Sequence, residues 1–293
     1  MASFKSKVYR LVLRLLIKGN LEKELVSGKI NHKREVARPP EQLCKRLNVD
    51  SKRILGRNVF TLSPKTGKSH TIILYLHGGA YVHGFARQHW DYMETMAVQL
   101  NCRVIAPDYP LAPDYNYQDS FAMLESIYKD LASMADKVNF IIMGDSAGAG
   151  FGLALAQKMK REGLAQPKHI VLLSPWLDIS MTNPMLNDIE GDDPFLDTQG
   201  LKLAGEAYAS SADVNDYLLS PINGDLEGLG KISVFTGTHD ILNVDAKKLK
   251  ELCEESGLQI NYHEYEEMMH CWMLMGLKES KEVIRKVVEI IRL

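Results

Sequence analysis

The run FIIMGDSAGAGFGLALAQ, residues 140–157, decides the fold class. Its first part is continuously apolar, as expected for a strand that is buried on both faces of a parallel sheet. Its second part carries small residues and predicts a helix, so the run indicates a strand, a tight glycine-rich turn and a helix. Such a turn either cradles a phosphate or presents a nucleophile.

The phosphate interpretation of this turn fits poorly. A dinucleotide fingerprint would use Gly148 and Gly150, but Leu153 occupies the position of its third glycine. The Walker pattern is also absent, since no Gly-Lys-Ser/Thr follows. Residues 144–148, in contrast, match the nucleophile elbow G-x-S-x-G, in which a strained turn exposes a serine hydroxyl at the end of the sheet. Ser146 is therefore the candidate nucleophile.

From residue 70 onward, apolar strands alternate with helical patterns, which predicts a doubly wound, mostly parallel α/β sheet. The predicted strands are 71–78, 102–109, 139–144, 169–176, 231–237 and 260–266, with an antiparallel edge strand at 57–62. The predicted helices are 88–100, 119–135, 147–163, 244–256 and 279–292. We expect one domain that spans residues 1–293.

Two segments interrupt the alternation and are candidates for a cap over one end of the sheet: residues 1 to about 50 and residues 179–215. The first begins with an amphipathic helix, for which we prefer packing on its own domain over transient membrane contact. The apolar face of that helix contains Val8, Leu11, Val12, Leu15 and Leu16. The second contains acids at 188, 190, 192 and 193, which lack the spacing of a calcium loop and predict a solvated loop.

Composition excludes several classes of function. The chain has 293 residues, 25% of them charged, and a net charge of −2, so no strong positive charge points to nucleic acid. No apolar run is long enough to span a bilayer, so we expect no stable membrane insertion. The four scattered cysteines predict reduced thiols in a cytoplasmic protein. Cys271 directly follows a histidine, but a packing role is favoured over a catalytic one.

A serine nucleophile needs a base and an orienting carboxylate, and in this type of fold they follow in the order Ser, Asp or Glu, His. Asp240 follows the strand at 231–237, and His270 lies between the strand at 260–266 and the last helix. Both should therefore reach the same sheet edge as Ser146. The rival candidates are His239, His263, Asp178 and Asp245.

The stretch LYLHGGAYVHG, residues 74–84, predicts the oxyanion hole. Backbone N–H groups stabilise a tetrahedral anion only where the chain approaches closely, which favours residues without bulky side chains. We expect Gly78 and Gly79 to donate hydrogen bonds together with Ala147. His77 should organise this loop and not act as a base.

Six short motifs occur in a fixed order across roughly residues 70–290: HGGAY, PDYPLAPD, GDSAG, SPWLD, GTHDIL and MMHCW. In these motifs the chain resembles the hormone-sensitive-lipase-like branch of the α/β-hydrolase superfamily. The resemblance implies an eight-stranded, mostly parallel sheet with a helical cap, and hydrolysis of short-acyl esters without metal or cofactor. Ala80 and Pro110 depart from the family's usual glycine and arginine. The expected substrate pocket contains Ala80, Tyr81, Asp145, Trp176 and Phe195.

Two other functions stay open at this stage. The same machinery serves an amidase or deacetylase, and the sequence does not separate amide from ester substrates. A non-catalytic small-molecule receptor is the second alternative, since a fold does not fix a function. We expect a small-molecule ester as the partner, and a homodimer is an open alternative.

Overall fold

Eight strands and ten α-helices account for most of residues 2–67 and 70–293, which the computed structural model describes. Met1, the first residue of the predicted N-terminal cap segment, lies outside these ranges. The strands are β1 Leu47–Ile54, β2 Arg57–Pro64, β3 Thr71–Leu76, β4 Arg103–Pro107, β5 Asn139–Asp145, β6 His169–Leu173, β7 Lys231–His239 and β8 Ile260–Met269. The helices are α1 Phe4–Leu16, α2 Asn20–Ser27, α3 Glu41–Arg46, α4 Arg87–Leu100, α5 Tyr117–Ala132, α6 Ala147–Arg161, α7 Leu186–Ile189, α8 Thr198–Ala209, α9 Asn243–Glu255 and α10 Lys278–Arg292.

All eight strands form one sheet in the order β1-β2-β4-β3-β5-β6-β7-β8. The pairs β1–β2 and β2–β4 are antiparallel, whereas every pair from β4 to β8 is parallel. The predicted eight-stranded, mostly parallel sheet is therefore confirmed. Because the strands from β3 to β8 are parallel neighbours, their carboxyl ends meet along the same edge of the sheet.

Residues 57–62 form an antiparallel strand as predicted, but the prediction that this strand lies at the edge is wrong, because β1 pairs along the outer side of β2. The sequence of β1, LNVDSKRI, contains no apolar run, and its middle residues are exposed. Charged residues are typical of edge strands, where they discourage pairing with another chain. The hydrophobic signal that identified the other strands was therefore absent here.

Side chains of the central strands point alternately into two cores, one on each face of the sheet. Ile72, Leu74 and Leu76 belong to the core covered by α5, α6 and α9. Ile73 and Tyr75 belong to the core covered by α4 and α10. This arrangement confirms the doubly wound α/β class and explains why the strand sequences are apolar at every position.

The expectation that the apolar face of α1 packs on its own domain is wrong. Its five apolar residues named above are 44–72% exposed. The opposite face, which carries Ser6, Arg10 and the buried Leu13, is the one that contacts the domain. Ser3 Oγ donates to Glu279, a guanidinium nitrogen of Arg10 lies 2.7 Å from His239 Nδ1, and Lys18 Nζ donates to the carbonyl of Asp193. No helix among the described residues is long and apolar enough to cross a membrane.

The two segments predicted as cap elements contact each other. Helix α2 of the N-terminal segment packs against α8 of the 179–215 segment. The approach is close, because a Cβ on Gly200 would lie 3.0 Å from the backbone nitrogen of Glu22.

The small residues at the start of α6 allow this helix to lie directly against the sheet. A Cβ on Gly148 would overlap the backbone carbonyl oxygens of Leu76 and His77. These carbonyls are part of the main chain of β3 and its following loop, so they cannot move aside as a flexible side chain could. Glycine at 148 therefore sets the distance between α6 and β3.

We expect Gly148→Ala to lower the free energy of unfolding by about 2 kcal/mol, because overpacking a rigid contact costs more than alanine gains in helix propensity. Urea unfolding followed by circular dichroism measures the change. Gly191→Ala is the matched control, because a Cβ there meets no atom within 4 Å. Equal stability of both variants would contradict the proposed close approach of α6.

Candidate active site

The candidate residues follow four parallel strands of the sheet. His77 follows β3, Ser146 follows β5, Asp240 follows β7 and His270 follows β8 within one residue. In α/β sheets the carboxyl edge is where ligands bind, because the loops after the strands converge there. The predicted strands therefore place the candidate side chains at the carboxyl edge of the sheet.

Ser146 occupies the turn between β5 and α6 with φ 52° and ψ −123°. This is a strained conformation for a residue with a side chain, as expected of a nucleophile elbow. Two backbone hydrogen bonds hold the turn: Ser146 N–H donates to Leu173 at 2.9 Å, and the Ser146 carbonyl accepts from Trp176 N–H at 3.0 Å. Ser146 is 6% exposed, so its environment is almost closed to water.

Asp240 and His270 form a buried hydrogen-bonded pair. The distance from Asp240 Oδ2 to His270 Nδ1 is 2.9 Å, and the other carboxylate oxygen accepts from the Leu242 N–H at 3.0 Å. A carboxylate at Nδ1 fixes the imidazole ring so that Nε2 faces away from Asp240. Burial acts to lower the pKa of His270, but the charge of Asp240 outweighs it and holds that pKa well above the ordinary histidine value.

The Nε2 atom of His270 contacts a cysteine. Cys271 Sγ lies 3.3 Å from it, and the backbone N–H of Cys271 donates to Ser174 Oγ. No hydrogen bond among the described residues joins His270 to Ser146. Hydrogen bonds between a nucleophile and its base are often long or misaligned in structures without substrate. Burial raises the pKa of the Cys271 thiol to about 11, so the thiol is protonated at neutral pH.

The rival candidates contact other partners. His239 lies against the Arg10 guanidinium, and the His263 ring stacks on Phe235. Asp178 accepts hydrogen bonds from Ser180, and Asp245 accepts one from Asn183. Each of these contacts gives its residue a structural role that does not require a part in catalysis.

Three backbone N–H groups of the nucleophile turn and the glycine loop donate no hydrogen bond among the described residues. They belong to Gly78, Gly79 and Ala147. Gly78 lies against the nucleophile turn, because a Cβ on it would be 3.0 Å from the Ser146 Cβ. Gly79 has φ 120°, a conformation that only glycine adopts readily, whereas Ala80 takes a left-handed φ of 54°.

His77 lies inside this loop and is fully buried. Its Nδ1 donates to the Gly78 carbonyl at 2.7 Å, and its ring stacks on Tyr109 at a centroid distance of 4.3 Å. Burial and the neighbouring His89 lower the pKa of His77 to about 3, so the ring is neutral. These contacts fit a loop-organising role.

The solvated-loop expectation for the acids at 188–193 is wrong for Asp193, although Asp188 and Asp192 are exposed. Asp193 is fully buried, and its carboxylate accepts from the N–H groups of Phe195, Leu196 and Ile241. Burial and the nearby charge of Asp240 raise the pKa of Asp193 to about 6. One signal in the sequence is compatible with a fixed turn here, namely the proline directly after Asp193.

The expected pocket residues differ in where their side chains lie. The Phe195 ring stacks on the His270 ring with centroids 5.8 Å apart. Tyr81 and Trp176 are buried, and the Tyr81 ring stacks on Tyr208 in the core. The Asp145 carboxylate points inward, where it accepts a hydrogen bond from Tyr75 at 2.6 Å. Ala80 is 8% exposed next to the glycine loop.

Comparisons with known proteins agree with the fold. The sequence profile of a family with the α/β-hydrolase fold matches residues 73–274. An esterase of Acinetobacter venetianus is 30% identical over 223 residues, which cover 74% of this chain and 73% of that protein. An acetyl-hydrolase of Streptomyces hygroscopicus is 28% identical over 201 residues, which cover 68% and 67%. The crystal structure of an esterase from the bacterial hormone-sensitive lipase family superposes with a TM-score of 0.83 at 23% identity, covering 100% of this chain and 99% of that one, and is evidence for the fold alone.

We expect Asp240→Asn to lower the pKa of His270, because the variant removes the negative charge that outweighs burial. The measurement is an NMR titration of the His270 ring, which in the unaltered protein should give a pKa above about 6.5. Asp91→Asn is the control, since Asp91 is exposed and pairs with Arg87. An unchanged His270 pKa in Asp240→Asn would contradict the electrostatic coupling of the pair.

Proposed function

The chain belongs to the α/β-hydrolase family and is a carboxylic ester hydrolase, and we propose that it is a serine esterase of the hormone-sensitive-lipase-like branch that cleaves short-chain acyl esters. The observation that carries this proposal is the environment of Ser146. Its backbone forms a strained turn, and the three candidate N–H groups donate no hydrogen bond among the described residues. Asp240 and His270 supply the hydrogen-bonded base at the same sheet edge.

In the proposed reaction, Ser146 Oγ attacks the ester carbonyl while His270 Nε2 accepts the hydroxyl proton. His270 must turn its Nε2 from the Cys271 thiol toward Ser146 for this transfer. The carbonyl oxygen becomes an anion, which the N–H groups of Gly78, Gly79 and Ala147 bind. Each such donor is worth roughly 3 kcal/mol of the barrier, because it is fixed in place before the charge develops.

The tetrahedral intermediate then collapses, and the proton on His270 passes to the leaving alcohol. Water attacks the resulting acyl-enzyme with the same base, which releases the acid and restores Ser146. Asp240 keeps Nδ1 of His270 protonated and stabilises the imidazolium that forms in both steps. Because only neutral His270 accepts a proton, its raised pKa favours turnover on the alkaline side of the ordinary histidine value.

Ser146 is a better assignment for the nucleophile than Cys271, although the Cys271 thiol is the group that contacts His270 Nε2. A thiol attacks as thiolate, and burial holds the Cys271 thiol in its protonated form. Cys271 follows β8 and is not part of the nucleophile turn, whereas Ser146 is part of it. We assign Cys271 no step in the reaction.

A cap built from residues 1–50 and 179–215 is the proposed cause of a short-acyl preference. Lys18 Nζ donates to the Glu190 and Asp193 carbonyls, and Phe195 covers His270. Ser146 is nearly buried beneath these elements, so a bound acyl chain has little open groove to follow. The name of the Streptomyces relative, an acetyl-hydrolase, supports a small acyl group.

Ser146→Ala should lower kcat by about 10⁵ and leave the circular dichroism spectrum unchanged, because it removes the attacking oxygen only. A fluorophosphonate probe should label Ser146, as peptide mass spectrometry would show. Cys271→Ser is the matched control and should retain most activity. A probe adduct on Cys271, or full activity of Ser146→Ala, would exclude the proposed nucleophile.

For p-nitrophenyl esters, we expect kcat/KM for acetate to hexanoate to exceed that for palmitate by at least about tenfold, equivalent to about 1.4 kcal/mol. The physical reason is the near-complete burial of Ser146, which leaves little room for a long chain. The measurement is initial rates below the aggregation limit of each ester. Equal kcat/KM for butyrate and palmitate would point to a lipase instead.

Deleting residues 2–18 should lower kcat/KM and the melting temperature, because it removes the Lys18 contacts that hold the loop carrying Asp193. Differential scanning fluorimetry and ester hydrolysis report the two effects. Leu15→Ser is the control, since Leu15 is exposed and lies on the opposite face of α1. Unchanged values for the deletion would show that α1 is dispensable for the cap.

A further inference from the structure

Two histidines and two glutamates converge at the junction between the N-terminal segment and the loop that follows the oxyanion glycines. His32 Nδ1 lies 2.8 Å from Glu35 Oε1, and His83 Nδ1 lies 3.5 Å from the same oxygen. His83 Nε2 lies 3.2 Å from Glu24 Oε2. We call these four residues the junction cluster. None of them takes part in the proposed hydrolysis.

We propose that His32, Glu35 and His83 bind a divalent transition-metal ion of the zinc type. One ligand atom from each of the three residues lies within 4.8 Å of the other two, a spacing that a single ion can bridge with small side-chain shifts. Two imidazoles and one carboxylate are a ligand set that zinc accepts, with water in the fourth position.

Glu24 supplies an outer contact of the kind found around metal-bound histidines. Such a histidine commonly gives its second ring nitrogen to a carboxylate, which fixes the tautomer and raises the basicity of the other nitrogen. With Nε2 of His83 directed at Glu24, Nδ1 is left facing Glu35 and the ion. The outer contact thus comes from α2, a different element from the ligands.

The Glu35 carboxylate is ionised and held in place. Burial acts to raise its pKa, but hydrogen bonds with His83 and His32 outweigh this and lower the pKa to about 2. The Gly84 N–H donates to Glu35 Oε1 at 3.0 Å, and the backbone of Glu35 pairs with that of Ala86. A fixed, ionised carboxylate oxygen is a suitable ligand for a cation. The cation can enter from solvent, because the His32 side chain is 62% exposed.

Ion binding would fasten the N-terminal segment to the loop that carries Gly79. The His83 N–H already donates to the Gly79 carbonyl at 2.8 Å, so His83 joins the cluster directly to the glycine loop. An ion that binds the folded chain but not the unfolded one stabilises the fold by mass action. The proposed role of the ion is structural and independent of the ester chemistry. The zinc proposal can therefore be tested separately from the proposed function.

The test is isothermal titration of the chelator-treated full-length protein with ZnCl₂, paired with its melting temperature in the presence and absence of zinc. We expect one equivalent of bound zinc and a higher melting temperature. His32→Ala should weaken binding by at least about tenfold and abolish the thermal shift, and Glu24→Gln should weaken binding by about tenfold through the outer contact. His32 is exposed, so its replacement should leave the fold intact.

Two control variants separate this site from other zinc ligands of the chain. His70→Ala removes an exposed histidine outside the junction cluster, and Cys44→Ser removes the exposed free thiol. Both should bind zinc as the unaltered protein does. The proposal is overturned if the protein binds no zinc, if His32→Ala binds it equally well, or if Cys44→Ser loses it. In the first case the junction cluster is an ion-pair network only.

Discussion

The backbone at Ser146 is held in a left-handed turn by the main chain of neighbouring segments, and most of the site depends on that turn. Its carbonyl accepts from Trp176 after β6, and its N–H donates to the last residue of β6. Helix α6 can follow only because it lies directly on β3, where Gly148 leaves no room for a side chain. The backbone geometry at Ser146 therefore fixes the positions of the Ser146 hydroxyl, the Ala147 N–H and the glycine loop together.

Charge at the site is arranged around one buried imidazole. Asp240 holds His270 from one side, and Asp193 binds the Ile241 N–H directly after Asp240. Two carboxylates this close would repel each other if both were ionised, and the raised pKa of Asp193 reflects that repulsion and its burial. The backbone N–H groups around Asp193 offset part of the cost, so the loop before Phe195 is tied to the loop that carries Asp240.

The N-terminal segment is attached through polar contacts in addition to apolar packing. Ser3 reaches Glu279, Lys18 reaches the carbonyls near Asp193, and Glu35 accepts from the Gly84 N–H. Since α1 turns its basic face to the domain, its apolar face is left exposed, contrary to the usual orientation of an amphipathic helix.

The fold class and the candidate positions at the sheet edge could be predicted from the amino-acid sequence alone, because buried parallel strands are largely apolar and the G-x-S-x-G turn has a narrow steric requirement. The sequence did not reveal β1, whose polar residues gain their strand conformation only by pairing with β2. It also could not show the burial of Asp193, the exposed apolar face of α1, or the Cys271 thiol at His270 Nε2. Each of these depends on contacts between segments far apart in the chain, and such contacts leave no periodic pattern in the residues that make them.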